Sequence, residues 1–311
     1  MTEISIVVPV HNEDESIKPF LQRAENVMNK IGKAYEIIFA LDPSSDNTEK
    51  IILGEIKRNK NIRLLVFSRR FGQPAATIAG ILNCKGSYCV IIDVDLQDPP
   101  EKIEELYKKI ISGFEVVYAK RKSRKGETFF KKIISSLGYY LINKLSDIHI
   151  PRDAGDYRII SRRVIGQLNK LNESHGFLKG MVAFVGFDQS YIEYDRDERY
   201  AGKSKYNKFF GSLKIGLNGL IGFSSRPLFL MSVLGFIIAL LSFILGIWYL
   251  FQKISGINLT LGLTTTVILI SFFAGVQLLG LGLLGEYIGR IYDEVKKRPK
   301  YILDKKINFD D

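Results

Sequence analysis

The chain has 311 residues, enough for one large domain, or for a domain of about 200 residues with something attached. Lys and Arg number 44 against 33 Asp and Glu, and the net charge of +11 invites nucleic acid, an anionic membrane surface or phosphorylated substrates as partners. Hydropathy argues against nucleic acid, because much of the excess positive charge sits beside two long uncharged apolar runs near the C-terminus.

The start, MTEISIVVPVHNE, carries an acidic third residue and no basic stretch, so no cleavable signal is predicted. ISIVVPV is a continuous apolar run, as a strand buried on both faces should be. A helix is predicted from about Asp14 to Ile31, followed by the strand YEIIFAL, a helix from about Asn47 to Arg58 and the strand IRLLVFS. Another helix around Ala75 to Asn83 precedes the strand YCVIIDV. Strands separated by helix-length segments predict an α/β fold with a doubly wound, mostly parallel, Rossmann-like sheet. Such sheets bind ligands beyond the carboxyl ends of their strands. The polar breaks HNED, DPSSDNT and DLQDPP all fall at those ends, so three loops should converge on one crevice.

Two amphipathic helices, about 128–146 and 206–223, either pack on this domain or lie in a membrane interface. Then come 26 uncharged residues from Pro227 to Gln252 and 32 more from Ile254 to Gly285. A bilayer span needs roughly 20 apolar residues, so two transmembrane helices are predicted, 227–252 and 262–286. Cations flank the pair, with Lys208, Lys214 and Arg226 before it and Arg290, Lys296, Lys297, Arg298 and Lys300 after it. The positive-inside tendency then predicts an inner (plasma) membrane protein with both termini cytoplasmic. Its parts are a cytoplasmic domain over 1–225, the two spans, and a cytoplasmic tail over 287–311. Cys84 and Cys89 read as core thiols in a reducing compartment. The glycine-rich second span permits close helix packing, within a chain or between copies in a homo-oligomer.

The stretch IIDVDLQDPPE pushes carboxylates out of the end of an apolar strand. Burying an unpaired charge costs several kcal/mol, on the order of 3 or more, unless something neutralises it. Asp93, Asp95 and Gln97 recur with period 2 and offer two carboxylates and an amide oxygen, a donor set suited to Mg²⁺ or Mn²⁺. Such an ion is commonly shared with substrate phosphates. Taken alone, D-x-D is also what an acidic turn looks like. No G-x-S-x-G, P-loop or H-E-x-x-H pattern is present, which disfavours hydrolase, ATPase and zinc-protease chemistry.

In chain order stand SIVVPVHNE, Asp42 with Ser44, Asp46 and Thr48, then SRRFGQPAATIAG, DVDLQDPPE, DAGDYRIISRRV, RYAGKSKY and GEYIGRIYDEVKKRPKY. This series resembles the family-2 glycosyltransferases of the GT-A fold, and most of all the polyprenyl-phosphate glycosyltransferases, kin of dolichol-phosphate mannose synthase and the bactoprenol glucosyltransferases. The resemblance runs from Ser5 to about Tyr301. It implies a metal-dependent hexosyltransferase taking a nucleotide-sugar donor and a polyprenyl phosphate acceptor, with inversion. Pro9, His11, Asn12 and Glu13 would border the nucleotide, Asp42 would face base or ribose, and Asp93 would approach ribose and diphosphate. Asp95 and Gln97 would hold the metal with Asp93. Arg152, Asp156, Arg199, Ser204 and Lys205 would line the acceptor end, with Asp156 as base or as an orienting group. Pro43 stands where relatives often have glycine, and Gln73 where lysine is commoner. The rival readings are a non-catalytic nucleotide-binding tether or flippase accessory protein, and a processive polysaccharide synthase. The second lacks its Q-x-x-R-W signature, since the single tryptophan, Trp248, lies inside an apolar run.

Overall fold

The computed structural model describes residues 2–122, 154–171, 173, 178–197, 200, 221, 222, 224–255 and 262–309. The strands β1 (Ile4–Val10), β2 (Tyr35–Leu41), β3 (Ile62–Phe67), β4 (Tyr88–Ile91), β5 (Val116–Arg121), β6 (Ala154–Ser161), β7 (Gln189–Tyr194) and β8 (Leu303–Ile307) form one sheet of order β7-β5-β6-β4-β1-β2-β3-β8. β1 pairs in parallel with β2 and β4, β2 with β3, and β5 with β7, whereas β6 and β8 run against their neighbours. The predicted doubly wound, mostly parallel sheet is what forms.

Why these residues build it is plain at β1, which is buried along its whole length. Alternation sends Ile4, Ile6, Val8 and Val10 to one face and Val7 to the other. On the first face pack α1 (Asp14–Ile31), α2 (Thr48–Arg58) and α4 (Lys102–Ile110). On the second pack α3 (Gln73–Asn83), α5 (Arg162–Leu168) and α6 (Leu178–Val185). α1 begins with Asp14 and Glu15 and ends at Gly32, whose φ of 68° allows the left-handed cap that donates to the Met28 carbonyl. Gly80 lets α3 lie flat on β1, because an added Cβ would come within 2.2 Å of Val7 Cγ1. Cys84 and Cys89 are buried free thiols.

The strand predicted as YCVIIDV is shorter than expected and stops at Ile91. Ile92 still donates to the Val7 carbonyl at 3.1 Å, after which the chain turns, with Leu96 left-handed at φ 59°. Asp93 and Asp95 therefore stand on a loop rather than in a strand.

Two long helices follow, α7 (Arg226–Ile254) and α8 (Leu263–Lys296). Both are long and apolar enough to cross a membrane, and their most apolar windows are 0% buried in the protein. A helix of a soluble core would be covered. β8 then returns to the sheet and pairs antiparallel with β3. The amphipathic segment 128–146, and nearly all of 206–223, lie outside the described residues.

Candidate active site

The loops after β1 and β2 are zipped together by hydrogen bonds to short polar side chains. Asn12, left-handed at φ 54°, donates its N–H to Ser44 Oγ at 3.0 Å and accepts from Ser45 N at 2.8 Å through Oδ1. Glu13 N donates to Thr48 Oγ1 at 2.9 Å, and Asp14 N to Asp46 Oδ2 at 3.2 Å. Asp46 also accepts from the Thr48 hydroxyl at 2.6 Å and the Thr48 N–H at 3.0 Å. Burial opposes ionisation, yet these hydrogen bonds hold the Asp46 carboxyl below its ordinary range. Pro9, which has no N–H, falls where β4 has already ended, since β4 accompanies β1 only as far as Val7.

Asp42, expected to face the base or ribose, is buried and engages a third loop. Its two oxygens accept from Phe71 N at 2.9 Å and Gly72 N at 2.8 Å. Gly72 has φ 88°, which favours glycine there. Gln73, next along, donates through Nε2 to Asp93 Oδ1 at 2.8 Å. A single chain of contacts thus runs from the second strand end to the acidic loop.

Register explains how Asp156 reaches that loop. Ile91 lies opposite Arg158 in the antiparallel β4–β6 pair, which brings Asp156, two residues before Arg158, to the end of β4 where the acidic loop begins. Asp95 is buried and accepts from Gln97 N at 3.1 Å. Asp197 N donates to the Gln97 carbonyl at 3.0 Å and Tyr200 N to the Asp95 carbonyl at 3.2 Å, so the segment after β7 holds the loop from below. Asp98 is buried, accepts from the Tyr194 hydroxyl and lies 3.5 Å from Arg196 Nε. Asp156 is half-exposed, 3.9 Å from Lys179 Nζ and 4.0 Å from Arg158 Nη2.

This crowding has an electrostatic signature. Burial, and then the charges of Asp98, Asp156 and Asp95, push the Asp93 carboxyl up to about 8, with Arg196 pulling the other way. Hard oxygens that repel one another to this degree favour a cation among them, and Asp93 and Asp95, two of the expected ligands, are among the crowded carboxylates. Among the described residues no three His, Cys, Asp or Glu side chains form a ready-made metal cage. Two carboxylates and an amide, completed by substrate phosphates, is the arrangement expected of Mg²⁺ or Mn²⁺.

Arg121, at the end of β5, is a residue that sequence reading passed over. Burial works against its charge, but the Tyr194 hydroxyl and the charges on Asp98 and Asp93 more than offset that and hold it protonated. Tyr194, Arg196 and Lys179 were also missed. The signal was available for Arg121 and Tyr194, since both close a strand at the carboxyl edge where ligands bind. Arg152, Arg199, Ser204 and Lys205 lie outside the described residues.

Residues 5–168 match the model of Glycosyl transferase family 2. The chain belongs to that family. Over 303 residues it is 41% identical to YkcC of Bacillus subtilis (strain 168), an uncharacterized glycosyltransferase, covering 97% of this chain and 94% of the relative. It is 39% identical over 303 residues to the SfII prophage-derived bactoprenol glucosyl transferase of Shigella flexneri, covering 97% and 98%. Among solved structures it resembles glucosyl-3-phosphoglycerate synthase from Mycobacterium tuberculosis, crystallised with Mn²⁺, UDP-glucose and glycerol 3-phosphate. That likeness has a TM-score of 0.51 at 18% identity over 72% of this chain and 82% of the other, and it shows shared architecture. The protein is a GT-A glycosyltransferase followed by two apolar helices. The family-2 match contains Asp42, the acidic loop and Asp156, while the apolar helices fall within the longer alignments to full-length relatives.

Proposed function

We propose that this glycosyltransferase moves a hexose, glucose from UDP-glucose as first choice, onto a polyprenyl phosphate of undecaprenyl or dolichyl type, with inversion. The observation that carries the reading is one chain bearing both an acidic crevice at the strand ends and two bilayer-length apolar helices. Relatives named for bactoprenol glucosyl transfer, aligned over nearly the whole chain, support it. The product is a lipid-linked sugar for modification of cell-surface glycans.

A divalent ion bound by Asp93, Asp95 and Gln97 would neutralise the diphosphate as a leaving group. The rest is done by the chain's own groups. Pro9, His11, Asn12 and Glu13 border the nucleotide, and Asp42 shapes its pocket by fixing the Phe71–Gly72 backbone. The acceptor's phosphate monoester has a second pKa near ~6, so its oxygen is already anionic at neutral pH. It needs placing more than deprotonating. Arg152, Arg199, Ser204 and Lys205 are assigned to its phosphate by resemblance; Arg offers a bidentate fork and Lys a point charge. Asp156, poised near Lys179 and Arg158, orients cations or sugar rather than acting as an obligatory base. The phosphate oxygen bonds to the anomeric carbon as the bond to the diphosphate breaks on the opposite face, through an oxocarbenium-like transition state.

The reaction is assigned to the cytoplasmic face of the plasma membrane. Cations at both ends of the helix pair, Arg226 on one side and Arg290 to Lys300 on the other, support that side. The test is a donor panel on the purified full-length protein in vesicles containing undecaprenyl phosphate. Metal-dependent release of nucleoside diphosphate with formation of a glycolipid is expected. Silence with every donor would remove the proposal and favour a nucleotide-binding tether.

A further inference from the structure

The buried end of β7 holds a polar relay that the proposed chemistry leaves unexplained. β5 and β7 run in parallel, and their register sets Arg121 beside Tyr194 at the carboxyl ends of the two strands. Arg121 Nε donates to the Tyr194 hydroxyl at 3.3 Å, and that hydroxyl donates to Asp98 Oδ1. Tyr194 is 1% exposed and Asp98 2% exposed. The Tyr157 ring packs edge-on against Tyr194, with centroids 6.0 Å apart, and its own hydroxyl donates to the Pro99 carbonyl at 3.0 Å. The phenol therefore has little freedom to swing. Burial, and then the charge of Asp98, push its ionisation far above the ordinary phenol range, so it remains a neutral donor.

The other end of Arg121 faces the site. Its Nη2 lies over Gly155, where an added Cβ would sit 3.4 Å away, and Gly155 precedes Asp156. Its charge acts on both Asp98 and Asp93. Had Arg121 paired directly with Asp98, the two charges would have been spent on each other beneath the loop. The interposed phenol, itself uncharged, fixes the guanidinium through one hydrogen bond from Nε and leaves Nη2 on the Gly155 side.

We propose that Tyr194 is a positioning residue: by bridging Asp98 and Arg121 it holds the Arg121 guanidinium in the acidic crevice, where it meets phosphate oxygens of the substrates. This rests on the glycosyl transfer proposed above. Those oxygens belong to the donor diphosphate or to the acceptor phosphomonoester, and separate KM values distinguish the two.

The experiment is a double-mutant cycle on full-length enzyme in vesicles with undecaprenyl phosphate and its active donor. Tyr194→Phe deletes only the hydroxyl and should lower kcat/KM by about tenfold or more, as loss of a hydrogen bond to a charged partner does. In an Arg121→Gln background the same change should cost less than about twofold, because the group it positions is gone. The KM that rises in both single variants names the phosphate served. A tyrosine that merely supports the fold would cost the same factor in either background, and that additivity would overturn the proposal, as would an unaltered Tyr194→Phe. Should Tyr194→Phe fail to fold, Arg121→Lys keeps the charge but not the Nε–H or the planar fork, and it must reproduce the loss; wild-type turnover by it overturns the link. A wild type silent with every donor would sink the proposed reaction and this link with it. An active wild type with additive variants sinks the link alone.

Discussion

Asp95 is where the chemistry is most exposed to a single substitution. It is buried, caps the Gln97 N–H and supplies one of the hard oxygens assigned to the cation. Asp95→Ala should cut transfer at least about a hundredfold, the scale of losing one charge-stabilising group, while membrane insertion stays intact. Glycolipid formation measured beside membrane-fraction yield checks both halves, and full retained activity would remove the metal assignment. Chelation should likewise silence the wild type, with Mn²⁺ or Mg²⁺ restoring it. Asp46 tests the loop zipper instead of the cation. Its folded-state pKa lies below the ordinary 3.8, so its contribution to stability is present above that pH and is lost as pH falls through the depressed value. Asp46→Asn cannot accept from Asp14 N and Thr48 together as the carboxylate does, and should cost about 1 kcal/mol at pH 7 and progressively less as pH falls below the ordinary 3.8 towards the depressed value. Thermal melts of the two proteins across that range give the answer.

Elements differ in how openly the sequence declares them, and the difference is physical. The first four strands are parallel to one another with helices on both faces, so apart from Ser5, Glu36 and Arg63 each is an apolar run that periodicity detects. β5 ends in Tyr118, Lys120 and Arg121, β6 carries Asp156 and Arg158, and β8 reads LDKKI. Each mixes charge into a strand, as site-facing and edge positions do, so the apolar signal fades. The acidic loop was legible because carboxylates at an apolar strand end are improbable without a neutralising partner. The relay through Asp98, Tyr194 and Arg121 was not, because its members come together only once β5, β6 and β7 are in register. At this scale α3 offers a clean test. Gly80→Ala drives a Cβ into Val7 and should destabilise by about 1–3 kcal/mol through overpacking. Val7→Ala placed beside it removes the obstructing methyls and should restore part of the loss, visible in the melting temperature of the double variant.

At the scale of the whole molecule, β8 ties the end of the chain to its beginning. Between the catalytic domain and β8 lie α7 and α8, each long enough to cross a bilayer once. Two crossings return the chain to the side from which it left, and β8 pairs with β3 of the same sheet, so the pairing requires an even number of crossings. Contacts before the strand reinforce it. Ser68 N donates to the Ile302 carbonyl at 3.1 Å, and the Tyr301 ring stands edge-on to Phe67 at 5.9 Å. Phe67 in turn packs on Phe71, whose N–H is held by Asp42. The two long apolar helices are therefore continuous in the chain with the wall of the proposed nucleotide pocket. Single cysteines put the topology to the test: in intact cells a membrane-impermeant maleimide should label Asn258→Cys in the connection between the helices. It should leave Asp304→Cys, on β8, unlabelled until the membrane is opened. External labelling at Asp304 while a cysteine on the β1–β3 side of the sheet, such as Lys57→Cys, stays protected would mean that β8 cannot pair with β3 in the cell, and the shared sheet would fail with it.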